Sequence, residues 1–598
     1  MTIGLGTADA ASVQASFSAL LPALARLDRR LAVAVERAQL AHGADAANDR
    51  FRGLYITDAD ADRLLTREPG AGAFFAGDET LGDAWNECDD DCIVEGSRLD
   101  SLARMFDLTR FDADVLIIAL APSLDLRYER LYAYLQDDVS RRRPTVDLAL
   151  SLLCSSATER ALRRAHFAGD APLVHHRLLR IATRDASAPI PTLAAAIEVD
   201  EQIVTHLLGH DVLDRRLTSC CELVPPRTLQ VPAPGALGEP DERALDRVFA
   251  DAARTGAALR LFFSGTEGMG KRAAARALAS RADVLLLHLH LARIVEPIDA
   301  PMLLSLALRH ARLHGAVVVA DDAAALTDAM REILATHPGI VILCSTASPL
   351  VAANVRDAMV VRFAHPPVAQ RSALWRAALV RCNQDAEDAA LDALAARFRM
   401  TPRQIDDTVS TATQTARWRG AAMTTDDLFA SARAHCGQEL EALAARVPTR
   451  QRWVDLVLPD DSLQQLREIS QRVAGRETVL DRWGFSQRVS HGSGVNALFS
   501  GPSGTGKTMA AEVLAHELGV DLFRVDLAGV VSKYIGETEK NLDRIFTAAE
   551  DANGIIFFDE ADALFGKRSE VHDSHDRYAN IEVSYLLQKM EQFSGIAI

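Results

Sequence analysis

The sequence has few cysteines, no long apolar run and no excess of positive charge, and each of these absences excludes a class of protein. Only 8 of its 598 residues are cysteine. The closest groupings, Cys88 with Cys92 and Cys220 with Cys221, lack the second pair that a structural zinc site needs. No apolar stretch reaches the about 18 residues that span a bilayer, and no signal-peptide pattern follows Met1. We therefore expect a soluble, cytoplasmic protein with no membrane partner.

The formal net charge of −17 argues against non-specific binding to nucleic acid across the whole surface. A local basic triplet at 141–143 precedes Pro144, and a solvated helix end explains it better than a nucleic-acid contact does. The sequence contains no His-Glu-x-x-His motif, so a built-in metalloprotease is not indicated. Hydrophobic residues make up 48% and charged residues 25%, the composition of an ordinary globular protein.

Changes of pattern along the chain predict six segments. Residues 1–150 are predicted to be mainly α-helical, because apolar residues recur at helical spacing, as over 20–35. Residues 151–224 resemble a winged-helix unit, in which 178–181 and 193–197 pattern as short helices. Winged helices bind DNA in some proteins and protein partners in others, so this segment alone does not decide the function. The remaining segments are predicted to be a proline- and glycine-rich linker (225–242), an α/β module (243–436), linker helices (437–480) and a second α/β module (481–598).

Both modules alternate predicted strands with helices, a pattern typical of a parallel sheet with helices on both faces. The predicted strands are 259–264, 284–289, 316–320, 340–344 and 359–363 in the first module, and 495–500, 522–526 and 555–558 in the second, where Ile596 opens another. A glycine-rich loop follows the first strand of each module, starting at Gly265 and at Gly501, 236 residues apart. Two related modules in tandem are the simplest explanation.

The loop of the second module has the complete P-loop pattern, and it lies between a predicted strand and a predicted helix. Its residues are Gly501, Pro502, Ser503, Gly504, Thr505, Gly506, Lys507 and Thr508. Glycines allow the backbone N–H groups to approach phosphate oxygens closely. Lys507 is predicted to reach the β- and γ-phosphates of ATP, and the hydroxyl of Thr508 to ligate Mg²⁺.

Two acidic residues, Asp559 and Glu560, follow the apolar strand 555–558. They lie at the carboxyl end of a buried strand, the edge at which open α/β sheets bind ligands. Asp559 is predicted to hold Mg²⁺, directly or through water, and Glu560 to polarise the attacking water as a general base. Together with the loop, this pair predicts a Mg²⁺-dependent ATPase.

The first module has a degenerate version of the same site. Its loop keeps Gly265, Gly270 and Lys271 but has Arg272 where the Mg²⁺-ligating hydroxyl belongs, and a guanidinium repels a metal cation. The matching acids are Asp321 and Asp322, and the side chain of Asp322 is one methylene shorter than that of a glutamate. We predict that this module does not hydrolyse ATP. Two roles remain open for it, nucleotide binding through Lys271 or a purely structural scaffold.

With these motifs and the segment Lys533-Tyr534-Ile535-Gly536, the chain resembles the AAA+ ATPases, and within them the protein-remodelling branch. The resemblance implies a homohexameric ring whose pore grips a protein substrate. Tyr534, between Lys533 and Ile535, would be the gripping aromatic residue; a tyrosine packed under its own helix is the alternative. The helices over 368–436 resemble the lid of such modules, and 400–405 resembles the lid motif that faces nucleotide.

The overall layout and the segment 573–580 are similar to those of bacterial AAA ATPases encoded with contractile injection systems. Ile598 opens the strand expected between the loop strand and the Asp559 strand. The polar sensor, arginine fingers, final strand and lid implied by the resemblance are therefore missing, and we expect the natural protein to continue. The leading hypothesis is remodelling of a protein substrate. The alternatives are a nucleic-acid motor or regulator acting through the winged-helix-like segment, and an assembly platform that binds ATP without threading.

Overall fold

The computed structural model describes most of the chain as helices and sheets. The described residues are 10–46, 61–62, 65, 93–182, 190–226, 239–294, 299–346, 355–441, 443–477, 494–526, 537–559, 561 and 584–598. Within these ranges, no helix is both long enough and apolar enough to cross a membrane. Cys88 and Cys92 lie outside the described residues, whereas Cys220 and Cys221 are buried free thiols.

The N-terminal part packs its helices and one hairpin around a shared hydrophobic core. Its elements are α1 (Ala10–Ala46), α2 (Arg98–Met105), α3 (Arg110–Leu124), α4 (Arg127–Leu135), α5 (Val146–Leu153), α6 (Ala157–Arg163), α7 (Pro172–His175), β1 (Leu179–Ala182), β2 (Ala196–Val199) and α8 (Glu201–Leu207). Helix α3 is buried along most of its length, which explains the unbroken apolar run over 115–121 in its sequence. The core includes Leu20 in α1, Ile197 in β2 and Leu207 in α8, so residues on both sides of position 150 pack together.

The segment 178–181, which patterns as a short helix, was predicted wrongly, and the segment 193–197 matches its prediction only in part. Strand β1 begins at Leu179, whereas the second segment begins in a 3₁₀ helix at Thr192–Ala194 and continues into β2. The two strands pair antiparallel, with Leu179 opposite Val199. Periodicity does not separate a short apolar helix from a short strand, and here pairing with a neighbouring segment decides the outcome. Helix α8 follows β2, and Gly209 lies just beyond its end with φ +88°.

A mainly parallel sheet follows, and one of its inner strands leads into the first glycine loop. Its elements are β3 (Cys221–Val224), α9 (Glu239–Thr255), β4 (Leu259–Ser264), α10 (Lys271–Arg281), β5 (Leu286–His290), α11 (Ala300–His314), β6 (Val317–Asp321), α12 (Asp328–Thr336), β7 (Ile340–Ser345) and β8 (Met359–Arg362). The strand order is β3-β5-β6-β7-β4-β8. Only the edge pair β3 and β5 is antiparallel. Strand β3 lies within the segment predicted to be winged-helix-like, but it pairs with the first module.

Four helices after β8 pack around the fully buried Trp375. They are α13 (Val368–Arg381), α14 (Asp388–Arg397), α15 (Pro402–Arg419) and α16 (Thr425–Glu441). Helix α15 begins with a capping box, in which Thr401 and Gln404 satisfy each other's backbone N–H groups, and it ends at Gly420. These helices occupy the range predicted as a lid.

The second sheet repeats the strand order of the first. Its elements are β9 (Ala445–Val447), α17 (Asp460–Glu477), β10 (Val495–Asn496), α18 (Lys507–Leu518), β11 (Leu522–Val525), α19 (Glu537–Ala552), β12 (Ile555–Phe558) and β13 (Ile596–Ala597), with a further helical stretch over 584–592. The order is β10-β13-β12-β11-β9, with β9 antiparallel to β11. Strand β13 lies between β10 and β12, as the sequence predicts. When both sheets are listed from the strand that precedes the glycine loop, the order β10-β13-β12-β11-β9 of the second sheet corresponds position by position to β4-β7-β6-β5-β3 of the first.

Strand β10 is shorter than the predicted strand 495–500. Its partner β13 provides two paired positions, so the ladder ends at Asn496, although Ala497 still donates a hydrogen bond of 2.9 Å to Ala597. Leu498 is 88% exposed, whereas Phe262, at the matching position of the first sheet, is fully buried between β7 and β8. The second sheet is therefore open at this edge within the described residues.

Histidines line the contact between the N-terminal part and the first module. The ring of His314 on α11 lies 5.6 Å from that of His206 on α8 and 4.4 Å from that of His310. Burial lowers the pKa of His206 to about 4 and that of His310 to about 3, and it also lowers the pKa of His314. Arg98 borders the cluster and donates to Asp211 at 2.8 Å. The folded protein therefore holds these rings in their neutral form.

We expect this contact to weaken in acid. Because the folded-state pKa values lie below the ordinary value of about 6.5, unfolding takes up protons. Stability is therefore complete above pH 6.5 and is lost as the pH falls towards 4, by up to about 1.4 kcal/mol per pH unit for each histidine. Chemical denaturation at a series of pH values measures this slope. The variant His206→Gln should flatten it, and His516→Gln at an exposed position should not. An unchanged slope in His206→Gln would contradict the assignment.

Candidate nucleotide-binding sites

The glycine loop of the second module is shaped by residues with left-handed backbone conformations. Gly504 has φ +80° and Gly506 has φ +87°, a region that side chains with a Cβ disfavour. Gly506 is the N-cap of α18, and no side chain caps the first turn of that helix. The first N–H groups of α18 are therefore not satisfied by a capping side chain, and a helix start of this kind attracts phosphate.

The side chain of Lys507 folds back and bonds to the backbone of this loop. Its ammonium donates hydrogen bonds of 2.9 Å to the carbonyl oxygens of Gly501 and Pro502. The hydroxyl of Thr505 also donates to Pro502, at 2.9 Å. An ammonium has three donors, so a further donor of Lys507 has no partner among the described residues. The lysine is held at the loop with capacity to bind an anion.

Asp559 lies directly after β12, at the carboxyl end of the parallel strands. Its side chain is 45% exposed, and one of its oxygens lies 3.9 Å from a terminal nitrogen of Arg524. Arg524 is on β11, opposite Phe557 in the register of the sheet. Sequence reasoning missed Arg524, although a lone cation in an apolar strand beside the acid strand was a usable signal. Glu560, Lys533, Tyr534 and Ile535 lie outside the described residues.

The first loop has the same backbone shape as the second. Gly268 has φ +80° and Gly270 has φ +83°, matching Gly504 and Gly506. Lys271 donates to the carbonyl oxygens of Gly265 and Thr266, as Lys507 does to those of its own loop.

Lys271 is held more tightly than its counterpart. It donates to a third carbonyl, that of Ser345 at the end of β7, at 3.0 Å. Its side chain is buried, and burial lowers its pKa. Both loops therefore present a lysine and a run of amides at the same edge of their sheets.

Three segments of the chain match known protein families. Residues 20–220 match the variant winged helix domain, and residues 367–438 match the contractile injection system ATPase helical domain. Residues 497–597 match the ATPase family associated with various cellular activities. The C-terminal segment matches an AAA domain and is called the AAA domain below. The AAA resemblance of the sequence is thus confirmed over 497–597. The winged-helix match covers a wider range than the predicted 151–224, and the helical-domain match coincides with α13–α16.

Curated relatives are similar to this chain over part of their length. The uncharacterized AAA family ATPase y4kL of Sinorhizobium fredii is 43% identical over 90 residues, which are 15% of this chain and 27% of that protein. The peroxisomal ATPase PEX6 of Pichia angusta is 40% identical over 112 residues, 19% of this chain and 10% of that protein. PEX6 of Neurospora crassa is 39% identical over 112 residues, 19% of this chain and 8% of that protein. The chain thus aligns with about a quarter or less of each of these relatives.

The acid of the first site is in a different environment from Asp559 in the AAA domain. Asp321 is only 3% exposed, and its Oδ2 lies 2.8 Å from Nε of Arg272 and 2.6 Å from Nε2 of His288. Nδ1 of His290 lies 3.4 Å from the same oxygen. Burial alone would raise the pKa of Asp321, but His288 and Arg272 hold it below its usual value. The predicted partner acid, Asp322, is exposed and has φ +56°.

The two sites differ in their fit to a metal ion. In the AAA domain, the hydroxyl of Thr508 and the carboxylate of Asp559 are oxygen donors of the kind Mg²⁺ prefers, and Asp559 is accessible. In the first module, Arg272 stands in place of the hydroxyl residue, and its guanidinium already forms an ion pair with the carboxylate of Asp321. A divalent cation fits the second site and does not fit the first.

His288 was also missed by sequence reasoning, and it corresponds to Arg524. His288 lies opposite Val319 on β6, just as Arg524 lies opposite Phe557 on β12. In each sheet, a basic side chain on one strand approaches the acid at the carboxyl end of the adjacent strand. The alternation of His288 and His290 along a buried strand was the available signal.

The lid motif contacts the first loop directly. The backbone N–H of Arg403, at the start of α15, donates to the carbonyl oxygen of Gly268 at 3.2 Å. A Cβ added at Gly268 would lie 2.7 Å from Oγ1 of Thr401, whereas one added at Gly504 would meet nothing within 4 Å. The start of α15 therefore packs on the first loop, as the resemblance implies.

Substituting alanine for Gly268 and, separately, for Gly504 should distinguish the free-energy cost of backbone strain from the cost of disturbing the lid contact. Both have φ +80°, so each substitution costs about 1 kcal/mol of unfolding free energy from strain. Gly268→Ala also pushes against Thr401, and it should cost about 1 to 3 kcal/mol more. It should also raise amide hydrogen exchange over 401–405. Chemical denaturation and hydrogen exchange of both variants test this. Equal losses in the two variants, with unchanged exchange at 401–405, would contradict the described lid contact.

Proposed function

We propose that this chain belongs to a Mg²⁺-dependent AAA+ ATPase whose second module hydrolyses ATP. One observation carries the proposal. In a segment that matches the AAA family, an ordered glycine loop holds Lys507 at the edge of the sheet where Asp559 ends its strand. The two parts of a phosphate-transfer site thus follow parallel strands of one sheet.

Each residue has a defined role in this proposal. The amides of the loop from Gly501 to Gly506 and the ammonium of Lys507 bind the β- and γ-phosphates. Thr508 and Asp559 would hold Mg²⁺, which neutralises charge that develops on the phosphate oxygens. Glu560 is the general base that orients and polarises the attacking water.

The first module is proposed to be a related P-loop module that does not hydrolyse ATP. The shared strand order and the matching glycine conformations support the relationship. Arg272 and the exposed Asp322 support the loss of hydrolysis. A module of this kind still contributes a rigid wall to an oligomeric ring.

The biological role that we favour is the threading or remodelling of a protein substrate by a cytoplasmic homohexameric ring. The segment Lys533 to Ile535 supports this role, because an aromatic residue between a basic and an aliphatic one grips polypeptides with little dependence on sequence. The match of residues 367–438 to a contractile injection system ATPase domain supports a place beside such a system. A nucleic-acid motor and a non-threading assembly platform are the competing outcomes of the experiments below.

Replacing Glu560 by glutamine should abolish hydrolysis and preserve binding. Loss of the general base is expected to lower ATP turnover about 100- to 10,000-fold, while the amides, Lys507 and Mg²⁺ ligands are untouched. Steady-state ATPase assays and equilibrium binding of ATP with Mg²⁺, both on the full natural protein, measure the two effects. Glu591→Gln, at an exposed position of the same domain, is the matched control. Undiminished turnover in Glu560→Gln would contradict the assigned base, and full biological activity without turnover would favour the platform.

Replacing Tyr534 by alanine should uncouple hydrolysis from work on substrate. We expect basal turnover to stay within about twofold, because the residue is not part of the phosphate site, whereas stimulation by an unfolded polypeptide should be lost. Tyr534→Phe keeps an aromatic ring and should retain the stimulation. Thermal unfolding of both variants detects the alternative, a tyrosine packed under its own helix, since only packing predicts a fall in stability. Stimulation by DNA and not by unfolded polypeptide would favour a nucleic-acid motor.

A further inference from the structure

The two nucleotide loops differ most clearly at the residue after the lysine. Position 508 is a threonine and position 272 is an arginine. Both residues lie in the first turn of the helix that follows the loop. In the first module this turn faces the acid at the end of β6, because Nε of Arg272 lies 2.8 Å from Oδ2 of Asp321. A positive charge that belongs to the protein thus lies where the AAA domain is proposed to hold Mg²⁺.

The rest of the first site is suited to binding an anion. The left-handed conformations of Gly268 and Gly270 give the loop the shape of its counterpart. Helix α10 begins at Lys271, and no side chain caps its first turn. Its amides therefore face the loop opening, as those of α18 do. What this site lacks is the means to recruit a metal, not the means to hold phosphate.

Arg272 retains donors for a ligand. A guanidinium has five N–H donors in a planar fork, and the fork matches phosphate oxygens. Only Nε of Arg272 is used, by Asp321, and across the described ranges its two terminal nitrogens have no hydrogen-bond partner. The side chain is 49% exposed. One edge of the guanidinium is anchored on the protein, and the other is accessible.

We propose that the first module binds the phosphate chain of a nucleoside di- or triphosphate without Mg²⁺, and that the Arg272 guanidinium, anchored by Asp321, takes the place of the metal ion. The loop amides bind the phosphates as in the AAA domain, whereas the three donors of Lys271 go to the carbonyls of Gly265, Thr266 and Ser345 and hold the loop in shape. Because His288 also bonds to Asp321, the carboxylate remains an anchor and is not available to a metal. The site therefore holds its nucleotide without the water activation that hydrolysis needs. This inference does not depend on the hydrolysis proposed for the second module.

Binding measured with and without metal tests this inference. The probe is fluorescently labelled ADP, titrated into the full chain in excess Mg²⁺ or in excess EDTA. We expect a stoichiometry of two per chain in Mg²⁺ and one in EDTA. In the variant Lys507→Ala, which silences the second loop, we expect one nucleotide per chain with similar affinity in both conditions. If only the function proposed for the second site is wrong, the nucleotide bound in a Mg²⁺-dependent way would be missing, and the nucleotide that remains bound in EDTA would still be observed.

Substitution of Arg272 distinguishes its role from that of the loop. In the Lys507→Ala background, Arg272→Thr should weaken binding in EDTA about 10- to 100-fold, the effect of losing a charge-assisted contact, and Mg²⁺ should restore part of the loss. Arg254→Thr, which breaks an exposed ion pair with Asp251 on α9, should have no effect. Arg272→Lys keeps the charge without the fork, and it should bind at an intermediate level. Circular dichroism and thermal unfolding establish that each variant is folded.

Several results would overturn the proposal. One is the absence of nucleotide binding by folded Lys507→Ala protein, which would leave the first module a scaffold. Another is binding that EDTA abolishes, which would mean that a metal enters despite Arg272. Undiminished EDTA-resistant binding by Arg272→Thr would show that the loop alone suffices and that the guanidinium does not replace the metal.

Discussion

In the first module the first turn of the helix after the glycine loop contacts the acid that ends a neighbouring strand, and the functions proposed for both modules depend on what stands at these two positions. In the first module a guanidinium makes this contact directly, with Nε of Arg272 2.8 Å from Asp321. In the AAA domain the corresponding residue is Thr508, which carries a hydroxyl in place of the guanidinium. Under the proposed function Thr508 and Asp559 would hold Mg²⁺, and a bound cation is often the largest local charge in a site. With the proposed roles, one substitution at this position separates a site that activates water from one that only holds phosphate.

The strand order of the sheet determines the position of this contact, because the loop follows one strand and the acid lies at the end of another. In both modules the strand that opens the loop and the strand that ends in the acid have one strand between them, β7 in the first sheet and β13 in the second. All of these strands are parallel, so their carboxyl ends share one edge. In this way the order of buried strands determines which polar residues meet.

The glycine loops, the acids after the apolar strands and most of the parallel strands were predictable from the sequence, because these features are local. A loop that must wrap phosphate needs glycine at defined spacings, and a strand buried on both faces is continuously apolar. Strands β1 and β2 fall partly in segments that were predicted as helices, because runs of four residues have no usable period. The edge strands β3 and β9 were not predicted, because only pairing with a distant segment makes them strands. His288 and Arg524 were missed for a related reason: their role depends on the register between neighbouring strands, which no single segment contains.

Contacts of the lid helices also join the two modules, and they would connect a nucleotide bound in the first site, as proposed, to the second. The lid packs on the first loop through the N–H of Arg403. The same group of helices contacts the AAA domain, where the side chain of Asn553 donates to the carbonyl of Arg397 at 2.6 Å and Arg399 lies 3.8 Å from Glu550. Asn553 lies between α19 and β12, two residues before the strand that delivers Asp559. A lid held on its loop by a nucleotide that is not hydrolysed would keep this contact constant through each catalytic cycle. The first module would then serve as a fixed support against which the second module changes conformation.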